Sequence, residues 1–103
     1  MERLDDFAIG RTVIIRTYSA GVWAGKLERK AGAEVVLTNA RRMWEWWAAE
    51  SISLSGVVKH GINRKKSKIA PAIESVWLEA IEILPLKEDV AKSIMEAPDA
   101  EAR

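Results

Sequence analysis

The sequence predicts an α+β fold: a small antiparallel, meander-like β-sheet with a short connecting helix and a C-terminal helix. Three observations carry this. Segments 12–18, 22–30 and 34–47 are rich in β-branched and aromatic residues and are separated by short glycine-containing turns. Segment 75–84 (SVWLEAIEIL) alternates and runs into Pro85. Segment 87–96 (KEDVAKSIME) spaces Val90 and Ile94 for one helical face and is stopped by Pro98.

Taken in order, TVIIRTY (12–18) is the first strand, interrupted by a charge at Arg16. Ser19-Ala20-Gly21 turns the chain. VWAGKLERK (22–30) places Val22, Ala24 and Lys26 on one face, and Trp23, Gly25 and Leu27 on the other. Gly25 inside a strand signals a bulge or a close backbone approach. Ala31-Gly32-Ala33 makes a hairpin to the third strand, in which Val35, Leu37 and Asn39 alternate with Val36, Thr38 and Ala40. The β propensity of the tryptophans favours its continuation through 41–47. Segment 48–58 is read as a short helix, capped by Glu50 or Ser51, with Ile52, Leu54 and Val57 turned inward and Gly56 weakening it. Residues 59–68 are a loop. In 75–84, Val76, Leu78 and Ala80 oppose Trp77, Glu79 and Ile81; helix competes here, since Leu, Glu and Ala favour it, and strand is preferred because the β-branched run ends at Pro85. Residues 1–97 are expected to form one domain and 98–103 a disordered tail.

Composition narrows the function. The chain has 103 residues, 49% apolar and 30% charged, which is ordinary globular usage. It has no cysteine, which removes disulfides, thiolate metal sites and a cysteine nucleophile. No apolar run reaches the roughly 20 residues of a membrane span, and the acidic first residues have no signal-peptide core, so a soluble cytoplasmic protein is expected. The only histidine, His60, follows a lysine in a loop, and neither a glycine-rich phosphate loop nor a nucleophile elbow is present. These features favour a binding module over an enzyme, with no cofactor and no metal.

The net charge of +1 conceals a partition. Residues 51–70 carry five basic side chains (Lys59, Arg64, Lys65, Lys66, Lys68) and no acid, whereas 71–103 carry three basic and eight acidic ones. The basic segment reads as a solvated loop, as an anion-binding loop, or as the counterpart of a neighbouring chain's acidic end. The balanced total argues against a duplex-DNA binder.

Three of the five tryptophans, Trp44, Trp46 and Trp47, fall within four positions. On a strand, Trp44 and Trp46 share one face and Trp47 takes the other, and a thin domain does not easily bury both. A subunit interface is the preferred reading, ahead of stacking on a base. Arg41 and Arg42, being adjacent, point to opposite faces and serve as salt-bridge partners or as an anion fork. Arg16 inside an apolar strand must reach solvent, pair or meet a ligand, with Tyr18 two residues on along the same face.

Together, Val13-Ile14-Ile15-Arg16-Thr17-Tyr18-Ser19-Ala20-Gly21-Val22, then Gly25, Glu34-Val35-Val36-Leu37, Asn39-Ala40-Arg41-Arg42 and the Trp-rich strand, resemble a family of small phage proteins, the Thoeris anti-defence sponges of the first type. Ile81-Glu82-Ile83-Leu84 and the short C-terminal helix resemble that family too. The resemblance spans roughly 12–95. It implies a non-enzymatic protein that binds cyclic nucleotide signals of bacterial immunity (Thoeris or CBASS) and holds them intact. The implied ligands are cyclic ADP-ribose isomers, with cyclic di- or trinucleotides at separate sites. The implied setting is a homo-oligomer, a hexamer, in the host bacterial cytoplasm, without membrane partners. The family's phosphate-binding arginines fall near Arg16 and, for oligonucleotides, near Arg41 or Arg42. Its stacking aromatic falls at Ile69 and a polar residue of its last strand at Glu79. Both are departures: isoleucine stacks poorly, and a carboxylate repels phosphate. The arginine-based oligonucleotide site is therefore the firmer implication. The alternatives are a single-stranded nucleic-acid-binding module and an oligomeric phage interaction protein.

Overall fold

A computed structural model of the chain describes residues 3–50 and 53–100. The first three predicted strands are present as β1 (Thr12–Arg16), β2 (Val22–Ala31) and β3 (Glu34–Glu45), an antiparallel meander. A helix α1 (Leu54–His60) and a two-residue strand β4 (Lys68–Ile69) follow, then β5 (Ile73–Glu79), β6 (Glu82–Pro85) and helix α2 (Glu88–Met95). A single 3-10 turn, Leu4–Asp6, precedes the sheet.

The segment read as one strand over 75–84 is two. β5 pairs with β3, and β6 pairs with β1 at the opposite side of the meander. Only Ala80 and Ile81 separate them, and their N–H groups donate to Ala33 O (2.7 Å) and Arg16 O (2.9 Å). The chain thus crosses from one end of the sheet to the other within two residues, which requires the sheet to curl into a small, nearly closed barrel.

The curl gives the sheet two buried faces. Val13, Ile15, Trp23, Leu27, Val35, Leu37, Ala40, Leu78 and Ala80 fill the inside. Ile14, Ala24 and Met43 face outward against Val57, Val90 and Ile94 of the helices, with Ile62, Ile69 and Leu86 completing this second core. This explains the unbroken Val13-Ile14-Ile15 run: a strand covered on both faces reads as continuously apolar. Each such side chain contributes about 1.5–3 kcal/mol of burial.

Gly25 marks an irregularity, as expected. A Cβ there would lie 3.1 Å from Thr38 O and 3.2 Å from Ala40 Cα. The register slips between Ala24 and Lys26, where three β3 residues span two of β2, and Asn39 takes up the extra residue at φ 49°. Parity in β3 changes at this bulge. Val35, Leu37 and Ala40 point inward, so Ala40 does not share a face with Val36 and Thr38 as strict alternation predicts.

Helix α1 begins later than expected. Ser53 caps it, its hydroxyl accepting from Gly56 N–H at 3.1 Å. Glu50 lies before the helix, and Ser51 and Ile52 lie outside the described residues. Leu54 and Val57 do turn inward. The expected disordered tail is placed through residue 100. Asp99 forms a parallel bridge to Ile69, and Ala100 N–H donates to Ile69 O at 2.9 Å; residues 101–103 lie outside the described residues.

Candidate functional site

The three arginines singled out from the sequence do not converge within one chain. Arg16 ends β1 and its Nε donates to Glu82 Oε1 at 3.0 Å, an exposed pair across β1–β6. Tyr18 is 92% exposed in the loop after β1; the strand stops at Arg16, so alternation does not carry Tyr18 onto the arginine's face. That loop is held by Thr17, whose hydroxyl accepts from Ala20 N–H and donates to Gly21 O. Arg42 lies over the Trp23 ring, 4.7 Å from its centroid, and donates to Ala20 O.

Arg41 takes the opposite face from Arg42, as adjacency requires, but it is 2% exposed. Its guanidinium donates to Ala70 O (2.9 Å), Ile94 O (3.1 Å), Met95 O (3.0 Å), Ala97 O (2.7 Å) and Ile69 O (3.3 Å), and to Asp99 Oδ1 (2.9 Å). Two of these carbonyls end α2, where backbone acceptors lack partners in the helix and a cation is favoured. Burial lowers the Arg41 pKa, Asp99 opposes that shift, and the nearby Arg64 adds to it. The expected ligand fork is therefore first of all a structural hub, joining β3, β4 and the end of α2.

Ile69, expected near a base, is buried in β4 opposite Met43 and offers no stacking face. Glu79 is exposed at the end of β5, directly opposite Glu34 of β3. Two facing carboxylates repel anions. The cleft beside them, about 180 Å³ and lined by Arg29, Lys30, Glu34, Val36 and Trp77, is a poor seat for phosphate, all the more because Lys30 is engaged by Asp5 at 3.6 Å.

The tryptophans separate differently from the expected alternation, because β3 ends at Glu45. Trp46 packs against the helix-side core. Trp44 is 70% exposed and Trp47 about half exposed. Each carries a lysine over its ring: Lys68 Nζ lies 5.6 Å from the Trp44 centroid, and Lys66 Nζ 5.1 Å from that of Trp47. Lys68 also meets Glu45 at 3.6 Å.

Here the basic segment and the aromatic cluster come together. A cleft of about 280 Å³ has Trp44, Arg64, Ser67, Lys68, Pro98 and Asp99 among its lining residues. Arg64 is fixed by donation to Ser93 O (2.9 Å) and Lys92 O (3.2 Å), at the same helix end that Arg41 holds from within. The turn is shaped by Asn63, whose side-chain oxygen accepts from Lys65 and Lys66 N–H. An aromatic face, two positioned cations and a hydroxyl suit a ligand with a flat ring and a phosphate. The charge partition and tryptophan count pointed to this region; nothing in the sequence pointed to Asp99 as part of it.

No group of three or more metal-ligating side chains occurs among the described residues, and no helix of these residues is long and apolar enough to cross a membrane. Residues 10–94 match the family described as a domain of unknown function, DUF6948, and the chain belongs to that family. No curated protein and no solved structure matches the chain.

Proposed function

We propose that this DUF6948 protein is a non-enzymatic sponge that holds cyclic nucleotide immune signals intact in the host bacterial cytoplasm, working as a homo-oligomer. The observation that carries the reading is the cleft in which the exposed Trp44 indole stands beside Arg64, Lys68 and Ser67. Indole and guanidinium together address both parts of a nucleotide, its base and its phosphate. The class of ligand comes from the resemblance to Thoeris anti-defence sponges. Holding requires no proton transfer or nucleophile, only pre-organisation, which the hydrogen bonds fixing Arg64 supply. Arg16, in its exposed pair with Glu82, and Arg42, stacked on Trp23, would have to give up or share these contacts to meet a neighbouring subunit's ligand; Trp47, about half exposed, can serve a subunit contact.

Isothermal titration against cyclic di- and trinucleotides and cyclic ADP-ribose isomers tests this. At least one is expected to bind and to be recovered unchanged after ethanol release. Trp44→Ala is expected to weaken that binding by about 1–3 kcal/mol, the worth of one stacked base. No binding by any of them at tens of micromolar defeats the reading. A second reading, single-stranded nucleic acid, is favoured by the exposed Lys66 over the Trp47 ring, with the exposed Lys65 next to it in the chain. It predicts oligonucleotide affinity that falls steeply with salt.

A further inference from the structure

Asp99 stands in a place that the rest of its cleft makes unusual for a carboxylate. It reaches Arg41 Nη2 at 2.9 Å while its own side chain remains 65% exposed. Arg64 and Lys68 border the same cleft, and Arg64 is close enough to Arg41 to disfavour its charge. The Arg41 guanidinium is otherwise turned into backbone carbonyls, so among the described residues Asp99 is its one acidic partner. Asp99 lines the cleft, whereas Arg41, 2% exposed, does not: the carboxylate stands between the cleft and the arginine. The segment bearing Asp99 is tied to β4 by its bridge to Ile69 and by the Ala100 N–H bond to Ile69 O. An anion entering beside Trp44 meets an acid already seated on the arginine.

We propose that Asp99 is an internal stand-in for the ligand's phosphate: its carboxylate occupies the anion position on Arg41, and a phosphate-bearing ligand binds by displacing it. This rests on the reading of the cleft as a nucleotide site, and it names the residue that sets the site's threshold. A monoanion too weak to displace the carboxylate is turned away. A polyphosphate or cyclic oligonucleotide, bearing more charge across Arg64 and Lys68, replaces it. Displacement frees 97–100 to lift from β4 and takes Pro98 and Asp99 out of the cleft's lining.

The test titrates inorganic pyrophosphate and cyclic di-AMP into the full chain, into Asp99→Asn and into Asp99→Asn with Arg64→Ala. Removing one unit charge from the anion position is expected to tighten pyrophosphate binding about tenfold. Arg64→Ala is expected to reverse the gain. Unchanged or weaker pyrophosphate binding by a folded Asp99→Asn overturns the proposal and makes Asp99 a structural latch only. Should that variant not fold, amide exchange at Ala100 in the unaltered chain decides: faster exchange on adding saturating pyrophosphate supports displacement, and unchanged exchange overturns it. Failure of cyclic di-AMP and of every other cyclic nucleotide, with the pyrophosphate gain present, defeats the nucleotide reading and leaves the displacement standing. Cyclic di-AMP binding with no gain from Asp99→Asn does the reverse.

Discussion

Arg41 shows how far one side chain's role is set by what lies beneath it. Its guanidinium satisfies five backbone carbonyls and one carboxylate from three parts of the chain. Removing it takes the arginine donor from all five; Ile69 O and Ile94 O keep a backbone N–H, from Ala100 and Ala97, while Ala70 O, Met95 O and Ala97 O lose the donor that Arg41 gives them. An unmet buried acceptor costs the full desolvation of the group. Arg41→Met is expected to destabilise the protein by about 3–5 kcal/mol, read from the urea midpoint. Arg41→Lys is expected to recover less than half of the loss, because an ammonium cannot span the planar fork. Arg42→Ala, which loses only an exposed stack on Trp23 and one carbonyl bond, is expected to cost no more than about 1 kcal/mol. The sequence shows that two adjacent arginines take opposite faces. It does not show which one is buried, because that depends on a parity change at Asn39. Nor does it show Asp99 reaching Arg41, 58 positions away.

At the scale of elements, local pattern is legible where burial is simple. The meander over 12–45, the inward set Val76, Leu78 and Ala80, and the helix ending before Pro98 follow from period and turn chemistry. Pattern fails where one element answers to two surfaces. Segment 75–84 alternates throughout, yet bends at Ala80–Ile81 because each half pairs with a different strand. The Trp-rich end of β3 does not keep its alternation, because pairing passes from β5 to the short β4 and then stops. The bulge at Asn39 is possible because Gly25 leaves room opposite it. Gly25→Val is expected to destabilise by about 1–3 kcal/mol, since the new side chain meets backbone atoms that cannot move aside. Asn39→Gly, which relieves a left-handed φ, is expected to be neutral or slightly stabilising by thermal melting. A large loss in the second variant would show that the bulge depends on the asparagine side chain rather than on backbone conformation.

At the scale of the whole molecule, two exposed carboxylates tie the β2–β3 hairpin, one to the first turn and one across its own strands. Asp5 accepts from Gly32 N–H at 3.1 Å, seating the first turn on the β2–β3 hairpin, and that bond holds its pKa below the ordinary value. Glu28 accepts from the Thr38 hydroxyl at 2.9 Å and pairs with Lys26, with the same direction of shift. As pH falls through about 4, the unfolded chain takes up these protons before the folded one does, so stability present above that range is lost on acidification. Asp5→Asn with Glu28→Gln is expected to flatten the acid limb of urea midpoints measured from about pH 6 to about pH 3. An unchanged slope would assign the acid sensitivity to other groups. The barrel closure has a further consequence, for synthesis. The bond from Arg16 to Glu82 joins positions 66 residues apart, and β1 has no partner on its outer side until β6 is made. A chain emerging from the ribosome therefore carries Val13-Ile14-Ile15 without the β6 partner that covers this edge until residues 82–85 are made. Completing the barrel must wait for the last strand, so the closing contact is non-local in sequence, the kind of contact that slows folding and prolongs exposure of apolar surface.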